Sequence, residues 1–279
     1  DIIRQDKGEI GMLKDITIGQ YFPGNSPIHL LDPRVKIALT FLFIIIIFFI
    51  KTYIGYGLAF AYLAFVIIMS GIPFRYILKS LRPLMFIIIL TFIINIFFTP
   101  GENVLFTIWR LKVTQEGLNQ AIFMALRLVF LVAGTSLLTL TTSPVDLTDG
   151  LELIFDPLKV IHFPAHELAM MMTIALRFIP TLLEETDKIM KAQMARGADF
   201  ESGNIMQRAK SLVPLLVPLF ISAFRRADEL AMAMEARCYR GGDNRTRMKT
   251  LKTEKRDYIA IAISVALSVI ILLDSHFMI

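Results

Sequence analysis

The sequence predicts an all-α membrane protein that crosses the bilayer several times and carries long helices in a charged cytoplasmic segment. Hydrophobic residues make up 55% of the 279 residues, and the mean hydropathy is +0.62. Several apolar stretches approach the roughly 20 residues that a helix needs to cross the hydrocarbon layer. The isoleucine run at 44–47, flanked by phenylalanine, has no polar face at either helical or strand period, so we expect lipid around it.

Apolar runs predict five membrane spans, with a charged segment between the fourth and the fifth. We expect a cytoplasmic N-terminal segment over 1–34, a four-span membrane domain over 35–140, cytoplasmic or interfacial helices over 141–256 and a final transmembrane helix over 257–279. The N-terminal residues carry no signal-peptide pattern, so the first span is expected to direct insertion. The predicted spans are 35–50, 53–69, 83–98, 119–140 and 258–273.

The positions of lysine and arginine predict the orientation of the spans. Arg34 and Lys36 flank the start of the first span, and Arg75, Lys79 and Arg82 separate the second span from the third. Because cytoplasmic loops are enriched in these residues, we assign both regions and the basic segment after the fourth span to the cytoplasm. The pI near 9.3 and the net charge of +5 do not predict nucleic-acid binding, since the basic residues lie between apolar runs.

The charged segment is too polar for continuous spans and too apolar for a solvated linker, which favours long helices. We predict one helix at about 166–196 and a second at about 205–239. Each begins with an apolar stretch and becomes charged toward its end. Pro180, Pro214 and Pro218 are expected to kink or interrupt these helices.

The ends of the two predicted helices carry the same motif, Asp-x4-Ala-x-x-Ala-Arg. The first copy ends at Arg196 and the second at Arg237. Alanines three residues apart lie on one helix face and leave a shallow patch that another backbone can approach, so we expect the two helices to cross there. These alanines are Ala192 and Ala195 in the first copy and Ala233 and Ala236 in the second.

The residues after the motif predict where each helix ends. Gly197 follows Arg196 and suits the left-handed residue that commonly ends a helix, while the helix dipole favours the arginine in the last turn. Cys238 stands at the corresponding position of the second copy, so we expect Gly241 to provide the stop there. Two interpretations of the arginines stay open: each caps its own helix, or both bind carboxylates of a partner through the planar guanidinium. The duplication favours the partner.

Two further groups of residues are candidates for contact with a partner. Arg127 is a cation inside the fourth span, where it either snorkels or caps a neighbouring helix carbonyl inside the bundle, or grips a membrane partner. Met170, Met171 and Met172 supply either an adaptable surface or ordinary packing, because methionine fits many shapes.

The sequence lacks the common motifs for metal binding, nucleotide binding and hydrolysis. His162 and His166 are four residues apart but lack a third ligand, and the single cysteine offers no thiolate cluster, so we expect no metal site. No glycine is followed by lysine and then serine or threonine, which excludes a Walker motif for ATP. The motifs His-Glu-x-x-His and Gly-x-Ser-x-Gly are also absent. Energy is therefore expected to come from another subunit.

The duplicated motif and two further segments resemble the T component of energy-coupling factor transporters. The Ala-Arg-Gly type of ending is a hallmark of that family. The segments Tyr-Phe-Pro-Gly-Asn-Ser-Pro-Ile-His-Leu-Leu-Asp-Pro-Arg at 21–34 and Ala-Leu-Arg-Phe-Ile-Pro at 175–180 resemble its other signatures. The resemblance covers most of the chain. It implies that the motif helices are coupling helices that dock onto two ATP-binding cassette ATPase subunits, while the membrane part holds a small substrate-binding S component.

The resemblance also implies roles for particular residues. By position, Arg196 and Arg237 would engage the ATPases, with Ala195, Gly197 and Ala236 beside them. The subunit would be non-catalytic and would hold no cofactor, since its partners bind ATP. The implied function is to transmit ATPase motion to the S component during vitamin or micronutrient uptake. The implied setting is the plasma membrane of a prokaryote, where the multi-pass chain contacts the lipid bilayer and no nucleic acid.

Two other functions stay open at this point. One is the T component of a dedicated cobalt or nickel importer, which differs only in substrate. The other is a polytopic membrane enzyme, which requires carboxylates or histidines inside the spans, where this sequence has almost none. In the resembling family the S component recognises the substrate, so the substrate is not read from this chain.

Overall fold

The computed structural model describes residues 21–100, 104–108, 111–200, 204–241 and 251–277. Most of the predicted N-terminal segment, up to residue 20, lies outside the described residues. Contacts divide the chain into two compact units. The membrane unit contains residues 19–151 and 249–279, and the described part of the motif unit lies between residues 152 and 241.

The described residues are mostly helical, which confirms the predicted fold class. A short antiparallel hairpin of β1 (Val104–Ile108) and β2 (Leu111–Thr114) was not predicted. Short 3-10 helices follow α3 at Arg82–Leu84 and α6 at Asp156–Ile161. The α-helices are α1 (Pro33–Phe49), α2 (Tyr53–Ser70), α3 (Phe74–Leu81), α4 (Met85–Phe98), α5 (Gln115–Thr141), α6 (Pro144–Phe155), α7 (Ala165–Ala195), α8 (Ile205–Ala236) and α9 (Lys255–Phe277).

Side-chain caps determine where the first two helices begin. The Asp32 carboxylate accepts a hydrogen bond from the Arg34 N–H at 2.9 Å, and a proline occupies the first helical position. The Thr52 hydroxyl accepts a hydrogen bond from the Gly55 N–H at 3.1 Å and caps α2. At its other end α2 stops at Gly71, whose φ of +68° favours glycine. The Thr52 cap accounts for the predicted break between the first two spans.

Five helices of the described chain are long and apolar enough to cross a membrane. Four of them contain the predicted second to fifth spans. The predicted first span is α1, whose 17 residues extend about 25 Å at 1.5 Å per residue. The fifth is α7, which is also long and apolar enough to cross a membrane. The sequence predicts α7 as a cytoplasmic or interfacial helix, and this location of α7 stays a prediction. The five helices are Tyr53–Ser70, Phe74–Phe98, Gln115–Thr141, Ala165–Ala195 and Lys255–Ser275.

The core of the membrane unit lies between α1, α2, α5 and α9. Ile47, Ile50 and Ile271 are almost fully buried there. Large apolar side chains also cover the outside of the unit: Ile68 is 78% exposed and Phe86 is 74% exposed. Helices that are apolar on all sides are expected where lipid replaces water as the solvent.

A buried polar cluster joins the segment before α1 to α5 and α9. The Asp32 carboxylate binds the Arg34 guanidinium at 2.7 Å, and the Asp32 N–H donates to Oδ1 of Asp257 at 2.8 Å. Lys36 Nζ donates to the carbonyl oxygen of Thr141 at 2.9 Å. Burial raises the pKa of Asp32, but hydrogen bonds from Arg34 outweigh burial and hold this pKa below its ordinary value. The cluster therefore fixes a segment that the sequence singled out as a family signature.

Candidate functional site

The two motif helices are α7 and α8, which pack against each other in the motif unit. Their bounds agree with the predicted helices to within three residues. Both helices are continuous through their prolines, so Pro180, Pro214 and Pro218 do not interrupt them, and the expected kinks stay a prediction. Long helical stretches on both sides of each proline, together with packing between the two helices, outweigh the single backbone bond that a proline removes.

A side chain of α7 compensates for one of these prolines. Pro218 lacks the N–H that would otherwise donate to the carbonyl oxygen of Pro214, four residues earlier. Gln193 Nε2 donates to this oxygen at 3.4 Å. Gln193 lies inside the first copy of the motif, so the contact holds that copy against the first half of α8. The sequence did not predict this contact, although a proline at 218 indicates that the carbonyl oxygen of residue 214 needs another hydrogen-bond donor.

Glu185 forms a second polar contact between the two helices. The Ser222 hydroxyl donates to one of its carboxylate oxygens, and Arg226 Nη2 donates to the other at 3.0 Å. The side chains of Glu185 and Arg226 are 23% and 39% exposed, so the ion pair is partly shielded from water. The sequence indicated only that each helix becomes charged toward its end, and the pair was missed.

These two contacts show that α7 and α8 run antiparallel. Gln193, late in α7, lies beside Pro214, early in α8, whereas Glu185, earlier in α7, lies beside Arg226, later in α8. The two motif ends therefore lie at opposite ends of the helix pair. Between Pro214 and Arg237, α8 extends about 35 Å at 1.5 Å per residue.

The first motif helix ends in a Schellman motif. The Ala198 N–H donates to the Gln193 carbonyl oxygen at 3.0 Å, and the Gly197 N–H donates to the Met194 carbonyl oxygen at 2.9 Å. Gly197 has a φ of +87°. The structure thus confirms that this helix ends at Arg196 with a left-handed glycine after it.

The second motif helix repeats this ending with cysteine in place of glycine. The Tyr239 N–H donates to the Met234 carbonyl oxygen at 3.0 Å, and the Cys238 N–H donates to the Glu235 carbonyl oxygen at 2.8 Å. Cys238 itself takes the left-handed conformation, with a φ of +56°. The expectation that Gly241 provides the stop is therefore wrong, because the backbone already turns at the cysteine.

The two arginines close their helices with nearly the same backbone angles. Arg196 has φ −90° and ψ 5°, and Arg237 has φ −92° and ψ 12°. Both residues are exposed, and neither forms an ion pair or a side-chain hydrogen bond with another described residue. The small residues beside them are exposed as well: Ala192, Ala195, Gly197, Ala233 and Ala236. The role of the alanines in helix crossing stays a prediction.

The remaining candidates of the motif unit lie in α7. Met171 and Met172 are 53% and 39% exposed, and Met170 is half-buried. His166 Nδ1 lies 2.8 Å from Oε1 of Glu152, so this histidine is engaged by a carboxylate. The described residues contain no group of three histidine, cysteine or acidic side chains that is arranged to hold a metal ion.

Comparison with known proteins identifies one family. Residues 24–248 match the family described as CbiQ, cobalt transport protein. A protein of Thermosediminibacter oceani is 62% identical over 248 residues, which cover 89% of this chain and 93% of that protein. A protein of Clostridium kluyveri is 62% identical over 250 residues, with 89% and 93% covered. A protein of Bacillus subtilis is 48% identical over 260 residues, with 93% and 98% covered. All three are named energy-coupling factor transporter transmembrane protein EcfT.

Proposed function

Since this chain belongs to the energy-coupling factor transporter transmembrane protein family, we propose that it couples two ATPase subunits to a substrate-binding membrane subunit. In this proposal the T component transmits ATPase motion to the S component during uptake of a vitamin or another micronutrient. It makes and breaks no covalent bond and holds no cofactor, because the ATPase subunits bind the ATP. The transporter lies in the plasma membrane of a prokaryote.

The repeated helix ending is the observation that carries this proposal. Two helices end in the same Schellman geometry, each with an exposed arginine as its last residue. The endings lie at opposite ends of an antiparallel pair. Two equivalent surfaces at separate positions suit two equivalent partners, whereas a single capping role would not require the second copy to repeat the first.

The chemistry at each ending is suited to docking. Arg196 and Arg237 each present a guanidinium without a described partner, and a guanidinium binds a carboxylate through two parallel hydrogen bonds. The exposed small residues beside each arginine allow a partner backbone to approach closely. We therefore propose that an acidic residue of each ATPase binds one of the two arginines.

The contacts between α7 and α8 support transmission of force. Glu185 binds two side chains of α8, and Gln193 binds the α8 backbone, so the two helices are joined at two positions. A pair joined in this way moves as one element when a partner pushes on either end. Coupling between distant sites requires such a continuous physical connection.

In the proposed complex the S component, and not this chain, recognises the substrate. Cobalt is named in the description of the matching family, whereas the name of the three relatives states no substrate. A dedicated cobalt or nickel importer is not favoured, because the chain matches the EcfT relatives over most of its length. Mass spectrometry of the complex purified through this chain would identify the S component and its bound substrate.

Reversing the charge of both motif arginines tests the proposed docking. The double variant Arg196→Glu with Arg237→Glu places a carboxylate against each proposed acidic partner, so repulsion replaces attraction. We expect co-purification of the ATPase subunits to fall by at least about tenfold, since a lost charged hydrogen bond at an interface commonly costs 2 kcal/mol or more. Substrate uptake by cells that carry the variant should fall with it.

A charge reversal elsewhere on the same helix provides the control. Arg225 is exposed in α8 but lies outside the motif, so Arg225→Glu should leave ATPase co-purification unchanged. Equal amounts of each variant in the membrane fraction would show that folding and insertion are intact. Normal assembly and uptake in the double variant would contradict the proposed role of the arginines.

A further inference from the structure

Two cations line a cavity beside the loop between α1 and α2 in the membrane unit. The cavity has a volume of about 170 Å³, and no described carboxylate lies within ion-pair distance of either cation. Because Lys51 connects the ends of two apolar helices, it lies where the headgroup region of the bilayer is expected. The residues that line the cavity are Ile50, Lys51, Gln120, Phe123, Met124 and Arg127.

Arg127 is incompletely satisfied within this cavity. Its Nη2 lies 3.5 Å from the carbonyl oxygen of Phe48, and its Nη1 lies 3.9 Å from the sulfur of Met124, which are both weak contacts. The guanidinium carbon lies 5.4 Å from the centre of the Phe48 ring. The Nε atom is buried without a hydrogen-bond partner. A guanidinium carries five N–H donors, and a buried donor without an acceptor is unfavourable, so the site requires an acceptor.

No carboxylate of the described residues is among those that line the cavity. Asp274, near the end of α9, contacts this loop at Thr52. It accepts a hydrogen bond from the Thr52 hydroxyl and does not line the cavity. The two cations therefore line the cavity together, and no described carboxylate lies within ion-pair distance of either one.

We infer that this cavity binds the phosphate group of an anionic phospholipid. A phosphate oxygen can accept from the free donors of Arg127 in the geometry that the guanidinium fork favours, and Lys51 and Gln120 add further donors at the rim. Phe123 and Met124, which are partly exposed, offer an apolar wall to the adjoining acyl chains. A lipid with net negative charge is favoured over a zwitterionic one, because the two cations attract an anionic headgroup.

Native mass spectrometry of the purified full-length chain with added lipid tests this inference. The probes are phosphatidylglycerol, phosphatidylcholine with the same acyl chains, and inorganic phosphate. We expect retention of phosphatidylglycerol in preference to phosphatidylcholine. Lys51→Gln should weaken phosphatidylglycerol binding about fivefold, the usual effect of one basic residue at a membrane surface, and Arg127→Gln should weaken it further.

The controls distinguish this site from other lipid contacts. Lys79→Gln removes the same charge from an exposed residue outside the cavity and should leave lipid binding unchanged. Lys51 is exposed, so its variant tests the inference even if Arg127→Gln fails to fold. Equal binding by wild type and Lys51→Gln, or equal retention of the two lipids, would overturn the inference. Displacement of the lipid by millimolar inorganic phosphate would also overturn it, because the site would then bind a free anion.

Discussion

Replacing Cys238 with glycine tests how the second motif helix ends. The φ of +56° lies at the centre of the left-handed region, where a residue with a Cβ is roughly 1–2 kcal/mol less stable than in a right-handed conformation. Glycine removes this strain. Its greater freedom in the unfolded chain offsets about 0.4–1 kcal/mol of the gain. The expected net effect is a stabilisation of about 0.5–1 kcal/mol.

The opposite exchange at the first ending provides a comparison. Gly197 has a φ of +87°, outside the left-handed minimum, and a Cβ added there would meet no atom within 4 Å. Gly197→Cys therefore introduces backbone strain without a steric clash. Because this φ is less favourable than that of Cys238, the expected destabilisation is larger, at about 1–2 kcal/mol.

Thermal unfolding of the purified chain in one detergent measures both exchanges through the loss of helical circular dichroism. Cys238→Gly should raise the midpoint by about 1–4 °C, given roughly 2–4 °C per kcal/mol for chains of comparable size. Cys238→Ala removes the thiol but keeps the Cβ, so it should leave the midpoint unchanged. A midpoint for Cys238→Gly at or below that of Cys238→Ala would refute the strain argument.

Two further predictions use the same unfolding assay. Glu185→Gln should lower the free energy of unfolding by about 1 kcal/mol, because it removes a partly shielded ion pair and weakens a hydrogen bond to α8. The control is Glu184→Gln, which changes an exposed neighbour and should leave the unfolding midpoint unchanged. Equal midpoint shifts in the two variants would argue against the Glu185 contact. Asp257→Asn should lower the free energy of unfolding by about 1–3 kcal/mol. The carboxylate accepts from the Asp32 N–H at 2.8 Å and from the Glu254 N–H at 2.7 Å, whereas an amide has only one oxygen and cannot accept from both. Glu254→Gln, on an exposed carboxylate, is its control, and a neutral Asp257→Asn would contradict the proposed role of the cluster.

The membrane helices were predictable because their signal is local and repeated. A stretch of about 17–25 apolar residues identifies a span without knowledge of its neighbours, and the caps at Asp32 and Thr52 add short-range signals for the helix starts. The hairpin between α4 and α5 was missed, because its two strands of five and four residues lie in a segment considered only as a connection between spans.

The contacts that define the candidate sites were not predictable, because they join residues far apart in the chain. Gln193 meets Pro214, and Arg127 meets the loop that carries Lys51, only after the helices pack. Sequence reasoning identified Arg127 as an unusual cation and left open what it contacts. The structure supplies the missing fact, which is that a second cation, and no described carboxylate, shares its cavity.

The second motif copy keeps the backbone geometry of the first copy although its left-handed residue is cysteine instead of glycine. Glycine is the residue that a left-handed helix end favours, and the chain has glycine at 197 but cysteine at 238. The backbone nevertheless makes the same pair of hydrogen bonds after both helices and leaves both arginines at the last position with angles that differ by only a few degrees. If the arginine were only a cap, a helix that ended without strain would serve equally well. The strained cysteine instead preserves the direction in which Arg237 leaves its helix, which is what the proposed binding of two equivalent partners requires.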